Sequence, residues 1–245
     1  MPNFRLELCY DGTRFNGWQR QGNTPNTIQG LLERTLSDML EQEVEAAASG
    51  RTDAGVHARR QVVSFRAKTR LEPEAILFAL RKLLPADIGA LSLAEAPPRF
   101  HARLNCKSKT YVYRIWNSEE PNVFERKYLT PVPEPLDLSA MRTAAKLLCG
   151  THDFTSFHAN KRFKRSAVRT ITEIEIRRMG GEVQLRFTGD GFLYHMVRIL
   201  AGTLLEVGLG EREAETMPAI LEAKDRAAAG KTAPARGLIL WDVAY

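Results

Sequence analysis

The sequence is poor in cysteine, and its arrangement excludes the usual structural uses of this residue. The three cysteines, Cys9, Cys106 and Cys149, are odd in number, lie far apart and form no C-x-x-C pair. Neither a disulfide framework nor a zinc site is therefore predicted. We expect a protein of the reducing cytoplasm that holds no metal.

Long apolar runs are also missing. The longest, residues 192–207, covers sixteen residues and is interrupted by charged and polar side chains, whereas a membrane-spanning helix needs about 20 apolar residues. We interpret it as a buried helix and expect no contact with a membrane. The first five residues contain no apolar segment, which predicts no targeting signal.

Acidic residues are absent from two long stretches of a basic chain. The 245 residues include 35 Lys+Arg and 29 Asp+Glu, a net charge of +6, which favours a polyanionic partner. No acid lies between Glu95 and Glu119 or between Asp153 and Glu173. The second stretch holds a basic segment around Phe163, formed by Lys161, Arg162, Lys164 and Arg165.

Cations beside an aromatic ring suit phosphate contacts and base stacking, so these stretches favour RNA as partner. Arg59 and Arg60 follow a glycine-rich loop and add to the same charge. The alternative for each basic run taken singly is a solvated face.

The apolar pattern predicts an α+β protein. Alternation over residues 4–10 indicates a strand, and helical spacing over residues 28–40 indicates a helix, opened by a capping box of Asn26 and Gln29. The order strand, helix, strand, strand, helix, strand recurs in each half. We therefore predict two similar subdomains, each a mostly antiparallel sheet with helices on one face. Pro97 and Pro98 suggest boundaries of 1–98 and 99–245, with the active-site cleft between them.

One carboxylate stands in a loop of small residues. Asp53 has Gly50 and Gly55 on either side and Arg51 two residues before it, a setting that lets a ligand approach the backbone and keeps the carboxylate ionised. The alternative interpretation is an ordinary solvated turn. The nearby His57 is not assigned as a general base, because a histidine beside small residues more often orders the backbone.

Arg198 stands in the predicted apolar helix, where an unpaired charge is costly, and so needs a carboxylate partner. Asp53 is the candidate. The alternatives are that Arg198 reaches the surface or pairs with Glu206 or another acid.

Motifs along nearly the whole chain resemble the tRNA pseudouridine synthase A (TruA) family. They are GRTDAGVH at 50–57, YDGT at 10–13, GWQRQ at 17–21, FHAR at 100–103, YVY at 111–113, DFTSF at 153–157, HMVR at 195–198, and AP at 233–234 with GL at 237–238. The resemblance implies an isomerase that flips uridines of the tRNA anticodon stem-loop, at positions 38–40, and converts them to pseudouridine. It also implies a homodimer and no cofactor.

The resemblance also assigns residues. Asp53 becomes the catalytic aspartate, Tyr111 packs on the target base, Arg198 pairs with the aspartate, and Arg51 enters the space that the flipped nucleotide leaves. The first subdomain then carries the Asp53 loop, and the second carries Tyr111, Arg198 and the basic segment.

The chemistry is consistent with one carboxylate, acting either as a nucleophile at C1′ or as a base that takes the 2′ proton. The rival functions are a non-catalytic RNA-binding module and a hydrolase that uses Asp53 with His57. The paired arginines before Gln61 depart from the family pattern.

Overall fold

The computed structural model describes residues 1–160 and 165–245, which divide into two compact units. The first comprises Met1–Lys107 with Ile239–Tyr245, and the second Ser108–Leu238. The predicted division at residue 98 differs in two respects. The first unit extends further, and the C-terminal strand belongs to it because that strand pairs with a strand of residues 57–66.

The described residues form five helices and ten strands. The helices are α1 (Ile28–Leu40), α2 (Pro73–Leu83), α3 (Leu138–Leu148), α4 (Met196–Gly208) and α5 (Met217–Ala223). The strands are β1 (Asn3–Tyr10), β2 (Ala46–Ala48), β3 (His57–Arg66), β4 (Ile88–Ala96), β5 (Ser108–Trp116), β6 (Thr130–Pro131), β7 (Gly150–Asp153), β8 (Val168–Met179), β9 (Glu182–Gly189) and β10 (Leu238–Ala244). No helix within the described ranges has the length and apolar character that crossing a membrane requires.

The sheet of the first unit is mostly antiparallel. Strand β1 lies between β3 and β4 and is antiparallel to both, and β2 also runs antiparallel to β3. Strand β10 joins β3 in parallel, with Ile239 opposite His57. Leu6 and Leu8 of β1 are fully buried, as are Ile28, Leu32 and Leu36 of α1. The predicted alternation of β1 and the apolar face of α1 therefore both contribute to the core.

The start of α1 differs from the predicted capping box. Thr27 is the N-cap, and its hydroxyl accepts the Gly30 N–H, while the Gln29 side chain accepts the Arg20 N–H. Thr27 has the extended backbone that an N-cap requires, so the cap lies one residue later than Asn26.

The second unit has antiparallel strands in the order β5, β9, β8, β7, with β6 in parallel beside β5. Strands β8 and β9 form a hairpin around Gly180 and Gly181, the structure that a glycine pair between two alternating runs favours. Helices α3 and α4 contact each other, and α3 also contacts β8. The mixed α and β composition with mostly antiparallel pairing confirms the predicted fold class.

Candidate active site

Asp53 lies in the loop between the antiparallel strands β2 and β3. Asp53 is half-buried, between the buried Thr52 and the exposed Ala54, and Val56 at the end of the loop is buried. The Val56 N–H donates to the Asp53 carbonyl at 3.1 Å, and Gly55 between them has a φ of +76°, a left-handed conformation that favours glycine. The loop is thus a closed turn anchored by the residues on either side of the carboxylate.

Two glycines of the preceding loop approach this turn closely. A Cβ on Gly12 would lie 2.0 Å from the Val56 carbonyl oxygen, and one on Gly17 would lie 2.7 Å from that of Thr52. The neighbouring Trp18 N–H donates to the same Thr52 carbonyl at 3.0 Å. The Asp53 loop is therefore held by backbone contacts that tolerate no side chain at these two positions.

A buried polar network supports the start of the loop. The Gln61 side chain accepts the Ser49 hydroxyl at 2.6 Å and donates to the Gly50 carbonyl at 2.9 Å. The Tyr10 and Thr52 hydroxyls are hydrogen-bonded at 2.8 Å, and burial raises the pKa of Tyr10 to about 12. The phenol is therefore neutral near pH 7 and able to donate to Thr52.

None of the sequence motifs predicts this network. The glycines at 12 and 17 stood in the motifs, but Gln61 and Tyr10 come from β3 and β1, and only the pairing of those strands brings them together. The periodicity of each strand gives no signal for it.

His57 is buried at the start of β3. Its Nδ1 accepts the Gly12 N–H at 3.0 Å and lies 3.1 Å from the Asp11 carboxylate. This contact orders the backbone of the loop at 11–12 and supports the choice not to assign His57 as a general base.

The arginines of the first unit differ in their surroundings. Arg51 is exposed, and the guanidinium of the exposed Arg59 lies 4.3 Å from the ring centre of Trp241. Arg60 instead makes a bidentate ion pair with Glu7, at 2.8 and 3.0 Å, and a further one with Asp242 at 2.9 Å. The hydrogen bonds to Glu7 raise the pKa of Arg60, so its charge is balanced within its own unit.

Tyr111 is a buried residue of β5 in the second unit. Its ring contacts Phe192 edge-on, with ring centres 5.3 Å apart and an interplanar angle of 85°. Phe192 lies in the turn that precedes α4. Tyr111, the tyrosine predicted to contact the base, therefore packs against the segment just before the helix that carries Arg198.

Arg198 lies in the first turn of α4 and is half-buried. Its Nε donates to the Ala233 carbonyl at 2.8 Å, and the Ala233 N–H donates back to the Arg198 carbonyl at 3.0 Å. The alternative partner Glu206 bonds instead to Arg212 at 3.0 Å and to the Lys231 N–H at 2.8 Å. The structure therefore does not favour the Glu206 alternative.

The predicted helix over 192–207 begins later than expected. His195 has a φ of +61°, which ends the preceding turn and leaves Met196 as the first helical residue. The apolar pattern of the sequence does not indicate which residue adopts a left-handed backbone.

Most of the basic segment lies outside the described residues. This is the case for Lys161, Arg162 and Lys164, whereas Arg165 is described and is exposed. In the described part of the chain, no group of three or more His, Cys, Asp or Glu side chains is arranged to hold a metal.

Comparison with known proteins decides the family. A family model described as tRNA pseudouridine synthase matches residues 9–105 and 144–245, which include Arg51, Asp53 and Arg198 but not Tyr111. A relative named tRNA pseudouridine synthase A 2, from Bacillus cereus (strain ZK / E33L), is 46% identical over 100% of both chains. This chain belongs to the tRNA pseudouridine synthase A family.

Another tRNA pseudouridine synthase A, from Halalkalibacterium halodurans, is 47% identical over 98% of this chain and 91% of its own. As a member of the family, the chain is an isomerase that converts uridine to pseudouridine, as the sequence motifs predicted. A solved structure titled "Crystal structure of the archaeal box H/ACA sRNP Nop10-Cbf5 complex" matches over 83% of this chain and 43% of that one. With a TM-score of 0.37 and 14% identity, this likeness is too distant to bear on the site.

Proposed function

We propose that this tRNA pseudouridine synthase acts on the anticodon stem-loop of tRNA, at positions 38–40, and that Asp53 is its catalytic residue. The observation that carries the proposal is the construction of the Asp53 loop. A half-buried carboxylate follows the buried Thr52, on a turn that glycine contacts and a buried polar network hold in place. Preorganisation of this kind is what a carboxylate acting at one atom of its substrate requires.

The reaction needs one such group. The C1′–N1 bond of uridine breaks, the uracil turns and C1′–C5 forms, while C5 loses its proton to solvent and N1 gains one. No net oxidation or reduction occurs, so the balance needs no cofactor. Asp53 acts either by forming a bond to C1′ or by taking the 2′ proton, and both routes return the carboxylate unchanged.

The other residues would hold the base and the RNA. The target uridine must leave the stack, as for other enzymes that act on a base. We assign Tyr111 to contact with the flipped uracil, Arg51 to the space it vacates, and Arg198 to pairing with Asp53. For the phosphates we assign Arg59 and the segment of Lys161, Arg162, Lys164 and Arg165, and a lesser part to the internally paired Arg60.

The proposal also includes the oligomeric state and the cellular compartment of the protein. We expect a homodimer in the cytoplasm, because the family resemblance implies two copies and the cysteine pattern suits a reducing compartment. The mass of the purified protein, measured by sedimentation, tests the dimer.

The experiment is an assay of tRNA labelled with tritium at C5 of its uridines, with no added metal. Release of tritium from intact RNA, with pseudouridine mapped to positions 38–40 of the product, is the expected result. Intact RNA without release would indicate a binding module, and cleaved RNA would indicate a nuclease. Pseudouridine confined to another arm of the tRNA would contradict the proposed target.

A further inference from the structure

The turn before α4 exposes an aromatic ring that has no role in the function assigned so far. Tyr194 is 52% exposed, and its ring stacks on the imidazole of His195, with ring centres 3.8 Å apart and planes 27° from parallel. One face of the tyrosine is therefore covered by its neighbour. A second flat group can add to the same stack.

The backbone fixes this pair in place. His195 has a φ of +61°, an uncommon conformation for a residue other than glycine. The Met196 N–H donates to the Leu193 carbonyl at 3.1 Å, and the Ala159 N–H donates to the Tyr194 carbonyl at 3.2 Å. Since the turn is bonded on both sides, Tyr194 is held in position before any ligand arrives, which lowers the entropy that binding costs.

The same turn connects Tyr194 with the residues proposed to act on the substrate. Phe192, two residues earlier, contacts Tyr111, and Arg198 lies in the helical turn that follows. Within the second unit, Tyr194 thus follows the ring that contacts Tyr111 and precedes Arg198 in the chain.

The charge around the turn suits RNA. Arg169 of β8 packs against Gly191, where its Nε would lie 3.6 Å from an added Cβ. The pKa of the buried His158 is lowered, by burial first and then by Arg169 and His195, so His158 is neutral near pH 7. Arg169 therefore supplies the cation near this turn, and an exposed ring together with a cation is the combination found at single-stranded nucleic acid sites.

We propose that Tyr194, backed by His195, is a stacking platform for an unpaired base of the substrate RNA next to the target uridine. It is a positioning residue that binds the RNA and does not touch the reacting atoms. This inference rests on the proposed function, because it concerns the same RNA site. Stacking is tolerant of base identity, since every base has a flat face, so the platform would serve different neighbours of the target.

The test compares Tyr194→Ala and Tyr194→Phe with the wild type in the tritium-release assay. Loss of one stacked base predicts a KM about tenfold higher for Tyr194→Ala, with kcat within twofold of wild type. Tyr194→Phe keeps the ring and should match the wild type in both constants. The matched control is Phe124→Ala, which removes another exposed ring, 96% exposed, in the same unit; its KM should not change.

A second measurement identifies the partner of the ring. Abasic sites are placed one at a time beside the target uridine, and each RNA is assayed with the wild type and with Tyr194→Ala. At the stacked position, the abasic site and Tyr194→Ala should together raise KM no further than either alone. Full additivity at every position, or an unchanged KM for Tyr194→Ala, would overturn the proposal.

A further outcome of the test is that the Tyr194 ring contacts another copy of the protein and not RNA. If Tyr194→Ala changes the sedimentation coefficient while Tyr194→Phe does not, the ring serves an interface between copies, and the RNA platform is refuted. Failure of the proposed function gives a different result. In that case the wild type itself forms no pseudouridine at positions 38–40, whereas failure of the platform leaves the wild-type reaction there intact.

Discussion

Gly17 packs directly on the backbone at Asp53, so a single methyl group there tests the construction of the site. The residue has a φ of +87°, and an added Cβ would lie 2.7 Å from the Thr52 carbonyl oxygen and 3.1 Å from the Asp53 carbonyl carbon. We expect Gly17→Ala to lower the free energy of unfolding by about 1–3 kcal/mol. Displacement of the loop should also lower kcat by roughly 100-fold.

The control is Gly22→Ala, because a Cβ on Gly22 meets nothing within 4 Å. Urea denaturation and single-turnover assays of both variants make the comparison. Equal activity of Gly17→Ala and Gly22→Ala would show that the position of the Asp53 loop does not depend on this contact.

At the residue scale, the signal that selects Asp53 is local. The motif of eight residues at 50–57, which resembles the family signature, is what selects Asp53 for the proposal. The support from Tyr10 and Gln61 could not be predicted, because a side-chain hydrogen bond between strands depends on register, which neither strand encodes alone.

Helix α4 presents Arg198 from its first turn, and the loop between β2 and β3 presents Asp53. If the two groups pair as we propose, their substitutions must be coupled. We expect Arg198→Leu to destabilise or inactivate the protein, since it removes a cation that neutralises a carboxylate. Asp53→Asn should recover part of the lost stability, because it removes the charge left without its partner.

Thermal or urea denaturation of the two single variants and the double variant measures this coupling. A coupling free energy of about 1 kcal/mol or more supports the pair. Strict additivity of the three free energies of unfolding would mean that Asp53 and Arg198 do not interact.

The sequence predicts elements well when their limits are set by neighbouring residues. The β8–β9 hairpin follows from Gly180 and Gly181 between two alternating runs. The start of α4 depends instead on the left-handed His195, and the pairing of β10 with β3 joins residues far apart in the chain. His195 lies just before α4, and the partner of β10 lies far away in the chain, so neither feature can be predicted from the residues of α4 or β10 alone.

At the scale of the whole molecule, each unit buries a tyrosine hydroxyl. Burial raises the pKa of Tyr10 and of Tyr113 to about 12, from an ordinary value of 10.0. The unfolded chain therefore loses these protons at lower pH than the folded protein does. The stability that they contribute is complete below pH 10 and declines as pH rises from 10 toward 12.

Between pH 8 and pH 11, we expect the free energy of unfolding of Tyr10→Phe to fall by about 1 kcal/mol less than that of the wild type. Tyr113→Phe should do the same for the second unit. Urea denaturation at both pH values measures the loss for each protein. A variant that loses as much stability as the wild type would show that its phenol does not titrate in this range.

The motifs placed the whole chain in its family, and the family comparison confirmed that placement. The division into units was harder to predict. Two adjacent prolines marked a break at residue 98, but contacts within the fold extend the first unit to Lys107 and return the chain to it at Ile239. Proline marks a local turn and carries no information about which strand the chain will pair with later.

If Asp53 performs the chemistry, the Asp53→Asn variant should bind tRNA without modifying it. The exchange keeps the size of the side chain and removes its charge. The measurement is tritium release from C5-labelled tRNA, paired with the dissociation constant for the same tRNA, and Asp38→Asn on the exposed side of α1 is the control. We expect no detectable release by Asp53→Asn with tRNA affinity close to wild type, and full release by Asp38→Asn. Release near the wild-type rate by Asp53→Asn would contradict the catalytic role of Asp53.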